Sequence, residues 1–304
     1  MKDSLLIVGS VAYDCIETPL DSADFILGGS ASYAALAASF FSSVKIVGVV
    51  GNDFKESDIS RLAARNIDIS ALTFDTQKPT FFWRGKYHEN FSSRETLDVR
   101  LNAFEGYMPK LGESAKKAKY VLLGNISPEI QESVLGDMEN PEFVILDTMD
   151  LWIQTANAKL RELIRRTDLL ILNDSEAKML SENRNIICAG DALLEMGAKY
   201  VIIKTGEYGA MLFHPDGFFV IPAYPVRDLR DPTGAGDSFA GALAGYIAGA
   251  GKTDFETIKL GMLAGAATSS LTVESFSCYK LEESGLGEIN RRCQYIEKIT
   301  SIRR

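Results

Sequence analysis

The sequence predicts an α/β fold, in which a doubly wound, mostly parallel sheet is flanked by helices and carries a small β lid. Short apolar runs rich in β-branched residues recur along the chain, as is typical of strands buried on both faces. Segments of helical period alternate with these runs, as in successive βαβ units. An aromatic, strand-like segment at residues 79–88 interrupts this alternation and predicts the lid.

Six apolar runs are predicted to form the parallel strands, and five of the intervening segments are predicted to be helices. The predicted strands are residues 5–8, 44–49, 120–123, 143–146, 169–172 and 200–203. The predicted helices are residues 30–41, 55–64, 157–165, 175–180 and 188–196. Ligands of such sheets bind beyond the carboxyl ends of the strands. The residues just after these runs are unusually polar, so functional side chains are expected there.

The lid is predicted to combine two separate stretches of chain, approximately residues 14–27 and 79–100, and to fold over the ligand edge of the sheet. Phe81, Phe82 and Trp83 occupy successive positions, so in a strand they alternate faces and only part of the set can address a pocket. No linker rich in proline, glycine or serine divides the chain. We therefore expect a single domain over residues 1–304, with the lid as the surface of a homodimer.

The composition excludes several classes of protein. With 46% hydrophobic and 24% charged residues, the 304-residue chain has the balance of a soluble globular protein. Its net charge of −9 would repel a nucleic acid backbone. No stretch approaches the ~20 apolar residues that a membrane span requires. The four cysteines form no CxxC pair, which speaks against zinc and disulfides and favours reduced thiols in the cytoplasm.

Residues 231–242, Asp-Pro-Thr-Gly-Ala-Gly-Asp-Ser-Phe-Ala-Gly-Ala, form the most informative segment and enter a predicted helix. Gly234, Ala235 and Gly236 lack bulk, so consecutive backbone N–H groups can converge on an anion, and the helix dipole adds positive charge there. Phosphate is the anion that such a loop is expected to bind. Asp237, in the first helical turn, either accepts a proton from a hydroxyl that attacks phosphorus or only complements the dipole.

Polar residues after other predicted strands allow two interpretations each. Asn173 and Glu176 either cap the next helix or supply oxygen ligands to Mg²⁺. Asp147 either faces the same cleft or caps the segment after it. Asp14 comes shortly after the first strand, where its carboxylate either accepts hydrogen bonds from two sugar hydroxyls or only stabilises a turn.

The segment 231–242 resembles the signature of the ribokinase-like carbohydrate kinases, the phosphofructokinase B type. Other blocks are similar to motifs of that family, in the family's order, over roughly residues 4–275. These blocks are residues 9–14 ending in Asp14, Gly28-Gly29-Ser30-Ala31, Gly51-Asn52-Asp53, Asn173-Asp174-Ser175-Glu176 and Lys204-Thr205-Gly206-Glu207-Tyr208-Gly209.

The resemblance implies an enzyme that uses ATP and Mg²⁺. It implies that Asp237 is the catalytic base and that the amides of Gly234, Ala235 and Gly236 bind the transferring phosphoryl group. The implied nucleotide-binding residues are Asn173, Lys204, Thr205, Gly206 and Gly209. Glu176 would organise Mg²⁺ through water. Asp231, together with residues 269–277, would hold a monovalent cation such as K⁺.

The resemblance also implies that Asp14, Gly28 and Gly29 bind substrate hydroxyls. The chain departs from the family at Tyr33, where many members have an asparagine that bonds a sugar hydroxyl. Tyr33 either makes a substrate contact through its own hydroxyl or simply packs.

We therefore predict a cytoplasmic kinase that phosphorylates a hydroxymethyl group of a small sugar or sugar-like substrate. A nucleoside kinase is the alternative, because nucleosides present the same hydroxymethyl group and aromatic lid residues could stack on a base. A sugar- or nucleotide-binding regulator without catalysis is a further alternative, which the intact glycine loop and Asp237 disfavour.

Overall fold

The structure of the protein is a computed structural model that describes residues 5–91 and 93–301. Its strands are β1 (Leu5–Val8), β2 (Ala12–Glu17), β3 (Ser22–Gly28), β4 (Val44–Val50), β5 (Ile67–Phe74), β6 (Phe81–Tyr87), β7 (Arg94–Arg100), β8 (Tyr120–Leu123), β9 (Phe143–Asp147), β10 (Leu169–Asn173), β11 (Tyr200–Lys204), β12 (Ala210–His214) and β13 (Gly217–Ile221). Its helices are α1 (Ser30–Ala38), α2 (Glu56–Ala64), α3 (Glu113–Lys116), α4 (Pro128–Asp137), α5 (Asp150–Thr155), α6 (Asn157–Ile164), α7 (Asp174–Ser181), α8 (Ile186–Glu195), α9 (Ala235–Ala250), α10 (Phe255–Thr272), α11 (Tyr279–Glu283) and α12 (Leu286–Thr300).

Within the described residues, nine of these strands form the larger sheet, in the order β13-β12-β11-β10-β9-β8-β1-β4-β5. The neighbouring strands from β11 to β5 are all parallel. The hairpin of β12 and β13 extends the sheet in antiparallel fashion at one edge. The predicted α/β fold with a mostly parallel sheet flanked by helices is therefore confirmed.

The central strands are apolar throughout because helices cover both faces of the sheet. In β1, Leu5 and Ile7 point into one cluster, which includes residues of α1, α9 and α10. Leu6 and Val8 point into the other cluster, which includes residues of α4, α6 and α8. Burial on both sides removes the polar alternation of a half-exposed strand, which explains why these strands could be identified as apolar runs.

The edges of the sheet contain strands that the apolar runs did not predict. Along β5 and β13, buried and exposed residues are interspersed, since these strands lie at the two edges. Their sequences therefore lack the continuous apolar run that identified the central strands.

The smaller sheet has four strands in the order β3-β2-β6-β7 and is assembled from residues 12–28 and 81–100, of which Ser92 lies outside the described residues. Strand β2 is antiparallel to β3 but parallel to β6. Asp14 pairs with Trp83 and Tyr13 pairs with Phe82 across these parallel strands. Because laterally paired residues share a face, Trp83 lies on the face of Asp14 and Phe82 on the opposite face.

Two findings concern the cysteines and the membrane. Cys15, Cys188, Cys278 and Cys293 are all free thiols. In the part of the chain that the structure describes, no helix combines the length and apolar character needed to cross a bilayer.

Helix α9 packs against α1 with almost no side chain between the two backbones. A Cβ atom at Gly241 would lie 2.1 Å from the carbonyl oxygen of Ala34, and one at Gly245 would lie 2.7 Å from that of Ala38. These glycines are four residues apart, so they line one face of α9. The contact requires glycine at both positions.

We predict that Gly241→Ala destabilises the fold, because its methyl group would push two helix backbones apart. The expected loss in unfolding free energy is about 1 to 3 kcal/mol, measured by denaturant unfolding. Gly136→Ala in α4 is the matched control, since no atom lies within 4 Å of its added Cβ. Alanine there should be neutral or should add up to about 1 kcal/mol through helix propensity. Equal stability of the Gly241→Ala variant and wild type would contradict the close contact.

Candidate active site

The candidate site lies at the carboxyl ends of the parallel strands, opposite the smaller sheet. Asp147, Asn173 and Lys204 are the last residues of three adjacent strands, β9, β10 and β11. Asn173 and Lys204 are direct partners in the sheet. The smaller sheet brings Asp14 to this edge, because β2 begins four residues after β1 ends. Most of the residues that the sequence singles out are thus brought together.

The loop before α9 has the geometry of an anion site. Gly234 is the N-cap in the left-handed conformation, with φ 76°, and among the described residues no side chain caps the helix. The ring of Tyr33 packs under this glycine, since a Cβ at Gly234 would lie 2.4 Å from it. The first amides of this 16-residue helix therefore have no side-chain cap, although the Ala235 N–H donates to the Pro232 carbonyl at 3.2 Å.

Tyr33 is 1% exposed, and its hydroxyl is buried with no hydrogen-bond partner in the described residues. Of its two predicted roles, packing under Gly234 is what the structure shows. A contact between its hydroxyl and a substrate stays a prediction.

Asp237 lies in the first turn of α9, and its carboxylate is surrounded by other charged groups. Burial, together with the charge of Asp147, raises the pKa of Asp237 to about 6 against the opposing effect of Lys204 and Arg94. A carboxylate in this range is still largely ionised at neutral pH and is a stronger base than an exposed one. The geometry therefore suits proton acceptance as well as a simple dipole contact.

The floor of the cleft is formed by Asp14, Gly28 and Gly29, which pack closely together. A Cβ at Gly28 would lie 1.9 Å from Oδ2 of Asp14, so only glycine leaves room for this carboxylate. Gly29 has φ +90°, and a Cβ there would lie 2.4 Å from the carbonyl oxygen of Ser10. Burial, together with the charges of Asp231 and Asp237, raises the pKa of Asp14 to about 8. The carboxylates of Asp14 and Asp237 thus act on the same cleft.

Asn173 and Glu176 form a capping box at the start of α7, as one of the two predicted roles requires. Oδ1 of Asn173 accepts the Glu176 N–H at 2.9 Å, and Oε2 of Glu176 accepts the Asn173 N–H at 2.8 Å. Burial raises the pKa of Glu176 to about 7. Capping does not exclude a metal role, because a carboxylate has two oxygens and each has further lone pairs.

The oxygen donors suit Mg²⁺ only as a partly hydrated ion. The described residues hold no group of three or more His, Cys, Asp or Glu side chains that could bind a metal alone. Mg²⁺ commonly keeps several waters and is held by one or two carboxylates together with substrate phosphates. Glu176 and Asn173 fit that mode of binding, and an all-protein cage is not needed.

Asp231 is fully buried at the start of the loop. Its Oδ1 accepts the Thr233 N–H at 2.9 Å, whereas Oδ2 has no partner in the described residues. The N–H groups of Arg230 and Asp231 donate to the carbonyl of Val273, which joins this loop to residues 269–277.

The turn after β11 contains the remaining predicted nucleotide-binding residues. The N–H and hydroxyl of Thr205 donate to the carbonyl of Gly209 at 2.8 and 2.9 Å. Gly209 has φ +106°, and a Cβ there would lie 1.9 Å from the carbonyl oxygen of Ile221. Gly206 has φ +60° with open space beside it. The turn is therefore closed by its own backbone and exposed at Gly206.

The sequence did not identify three further residues of the cleft. The hydroxyl of Thr233 donates to Tyr87 Oη at 3.1 Å, which joins the anion loop to the smaller sheet. Arg94 hydrogen bonds to Tyr87, and its charge acts on Asp14 and Asp237. Tyr87 lies on the face of Trp83, an alternation that the sequence contained. Arg94 carried no pattern that would separate it from other lid residues.

Comparison with known proteins identifies the family of the chain and several of its relatives. Residues 2–283 match the model of the pfkB family of carbohydrate kinases. The chain is 29% identical over 266 residues to the cytidine kinase of Thermococcus kodakarensis, covering 85% of this chain and 93% of that protein. It is 29% identical over 269 residues to a nucleoside kinase of Methanocaldococcus jannaschii, covering 81% and 80%.

A solved structure shows the same fold. The crystal structure of a nucleoside kinase from Methanocaldococcus jannaschii, described as an archaeal member of the ribokinase family, has a TM-score of 0.77 to this chain at 23% identity. The likeness covers 97% of this chain and 99% of that one.

We predict that Asp14→Asn stabilises the fold increasingly as pH rises. The folded-state pKa of Asp14, about 8, lies above its ordinary value of 3.8. The carboxyl group therefore does not lower the unfolding free energy at pH values below its ordinary pKa. It destabilises the folded state progressively as the pH rises towards 8. The difference in unfolding free energy between Asp14→Asn and the wild type should therefore grow by at most ~1.4 kcal/mol per pH unit.

Thermal unfolding of both proteins between about pH 4.5 and 7.5 measures this difference. Asp24→Asn, at an exposed position of the same small sheet, is the control and should track the wild type. A constant difference between Asp14→Asn and wild type over that range would contradict a strained, buried carboxylate.

Proposed function

Because the chain belongs to the pfkB family of carbohydrate kinases, we propose that it transfers the γ-phosphoryl group of ATP to the hydroxymethyl group of a nucleoside. The observation that carries this proposal is the pairing of the buried carboxylate of Asp14 with the partly buried carboxylate of Asp237, beside a helix N-terminus without a side-chain cap. Hydroxyls of a sugar ring can bind Asp14 while one hydroxyl reaches Asp237. Phosphoryl transfer needs mainly alignment and charge compensation, which this arrangement supplies.

The proposed mechanism assigns one task to each part of the site. Asp237 accepts the proton of the attacking hydroxyl as the new O–P bond forms and the bond to ADP breaks. The amides of Gly234, Ala235, Gly236 and Asp237 hold the transferring group. The turn from Thr205 to Gly209, which follows Lys204, would contact the nucleotide. Glu176 and Asn173 would hold Mg²⁺, which when bound compensates phosphate charge.

The choice of a nucleoside over a free sugar rests on two observations. The relatives that match over most of the chain include a cytidine kinase and a nucleoside kinase. Trp83 lies on the lid face of Asp14, where its half-buried ring can stack on a base. The sequence alone favoured a free sugar, and turnover of a panel of sugars and nucleosides separates the two.

Two further proposals concern a bound cation and a second copy of the chain. The buried, unpartnered Oδ2 of Asp231 favours a monovalent-cation site there. Exposed apolar residues of the smaller sheet, Phe25, Leu97 and Val99, favour a homodimer formed through the lid. The smaller sheet as a lid of a single kinase domain is likewise proposed.

We predict that cytidine or another nucleoside supports ADP release, with kcat/KM at least about tenfold above ribose, deoxyribose and fructose. Trp83→Leu should lower kcat/KM for the nucleoside about tenfold or more, since base stacking contributes ~1 to 3 kcal/mol. Phe82→Leu is the matched control, because Phe82 lies on the opposite face of the same strand. Turnover of a free sugar with no turnover of any nucleoside would overturn the choice of substrate.

We predict that Asp237→Asn lowers kcat by ~10²- to 10⁴-fold, as expected when a general base is removed. ATP affinity, measured by calorimetry, should stay close to that of the wild type because the amides are retained. Asp228→Asn changes an exposed aspartate shortly before the loop and serves as the control. Activity of Asp237→Asn within threefold of wild type would favour the simple dipole role.

A further inference from the structure

Lys204 places an ammonium group directly under the anion loop. Its side chain extends from the end of β11 towards the first turn of α9, and a Cβ at Gly236 would lie 3.1 Å from Nζ. Any side chain at Gly236 would therefore press on this ammonium. The group is largely enclosed, with its side chain 17% exposed.

Asp147, at the end of β9, holds this ammonium across the end of β10, which lies between β9 and β11. Both carboxylate oxygens of Asp147 lie 3.4 Å from Nζ of Lys204, and the Asp147 side chain is 5% exposed. Oδ1 also accepts the N–H of Thr148 at 3.0 Å. Gln131 donates to the carbonyls of Gly124 and Asp147, which ties together the ends of β8 and β9. The carboxylate thus has a fixed orientation.

The ammonium has capacity for one more acceptor. A protonated lysine carries three N–H donors, and two of them are directed to the Asp147 carboxylate. Burial works to lower the pKa of Lys204, but the charges of Asp147, Glu176 and Asp237 outweigh it and keep the pKa above its ordinary value. The side chain therefore remains charged at neutral pH, with a donor left for an anion at the loop.

The positive charge of Lys204 offsets part of the negative charge that surrounds it. Asp14, Asp147, Glu176 and Asp237 are all acidic, and a triphosphate would add further negative charge. A buried ion pair contributes little to stability by itself, so its effect here is to fix a cation at one place. In phosphoryl transfer the negative charge spreads over the equatorial oxygens of the transferring group. The amides at the start of α9 would contact this group from one side only.

We propose that Lys204 donates a hydrogen bond to the transferring phosphoryl group and that Asp147 is the positioning residue that holds Lys204 for this contact. The inference rests on the proposed function; it narrows the nucleotide-binding role that the resemblance implies for Lys204 to one phosphoryl group and gives Asp147 a role of its own. Lys204 makes no covalent bond in the reaction. Asp147 has no contact with the substrate and acts through Lys204.

A double-mutant cycle tests this pair, with Lys204→Met, Asp147→Asn and the double variant. Lys204→Met should lower kcat about 100-fold, as does loss of one donor to developing charge. Asp147→Asn should lower kcat about tenfold, with KM for the nucleoside within about twofold of wild type. The double variant should be no slower than Lys204→Met, because Asp147 acts only through Lys204. Lys204→Arg should recover part of the lost rate.

Nucleotide binding without turnover gives a second readout. In calorimetry without acceptor, Lys204→Met should weaken ATP about tenfold while ADP affinity changes less than about twofold. Lys199→Met is the control. Lys199 lies just before β11 begins and forms an ion pair with Asp168, and the variant should match the wild type in every measurement. If a variant fails to fold, Lys204→Gln and Asp147→Ser repeat the cycle.

Losses in kcat that multiply in the double variant, or equal losses of ATP and ADP affinity, would overturn the inference. Absence of turnover by the wild type on all nucleosides and sugars would instead defeat the proposed function. In that case the comparison of ATP with ADP still decides whether Lys204 contacts the terminal phosphate.

Discussion

The position of the anion loop depends on how closely α9 packs against α1. Gly234 lies on the ring of Tyr33, and Gly241 and Gly245 lie on the backbone of α1. These contacts set the height of α9 above the sheet, and hence the point at which its first amides meet the strand ends. Asp237 and Gly236 are placed by the same contacts. The small residues along α9 therefore serve the site as well as the core.

The site concentrates acidic groups where water is scarce. Burial raises the pKa values of Asp14, Glu176, Asp231 and Asp237 together. Such a cluster opposes folding at neutral pH, and Lys204 and Arg94 compensate it only in part. A substrate that brings hydroxyl donors to Asp14, together with cations that accompany the nucleotide, would relieve this strain. The fold thus holds the site in a form that favours ligand binding over its own stability.

Sequence reasoning identified the parts of this molecule that depend on local pattern. The central strands were visible because both faces are buried, and the loop of Gly234 to Asp237 was visible because its residues are consecutive. The ion pair of Lys204 and Asp147 joins strands β9 and β11, which are separated along the chain by more than fifty residues. Nothing local distinguishes such an aspartate from a helix cap, and its partner appears only when the strand order is known.

The parallel pairing of β2 with β6 has a mechanical consequence. Asp14 belongs to β2, so the group proposed to bind the substrate hydroxyls is a part of the smaller sheet and not of the larger one. Any rocking of that sheet about its short connections, residues 9–11 and Gly29, carries the carboxylate with it. If the smaller sheet closes over the cleft as proposed, the floor of the binding site moves together with its cover.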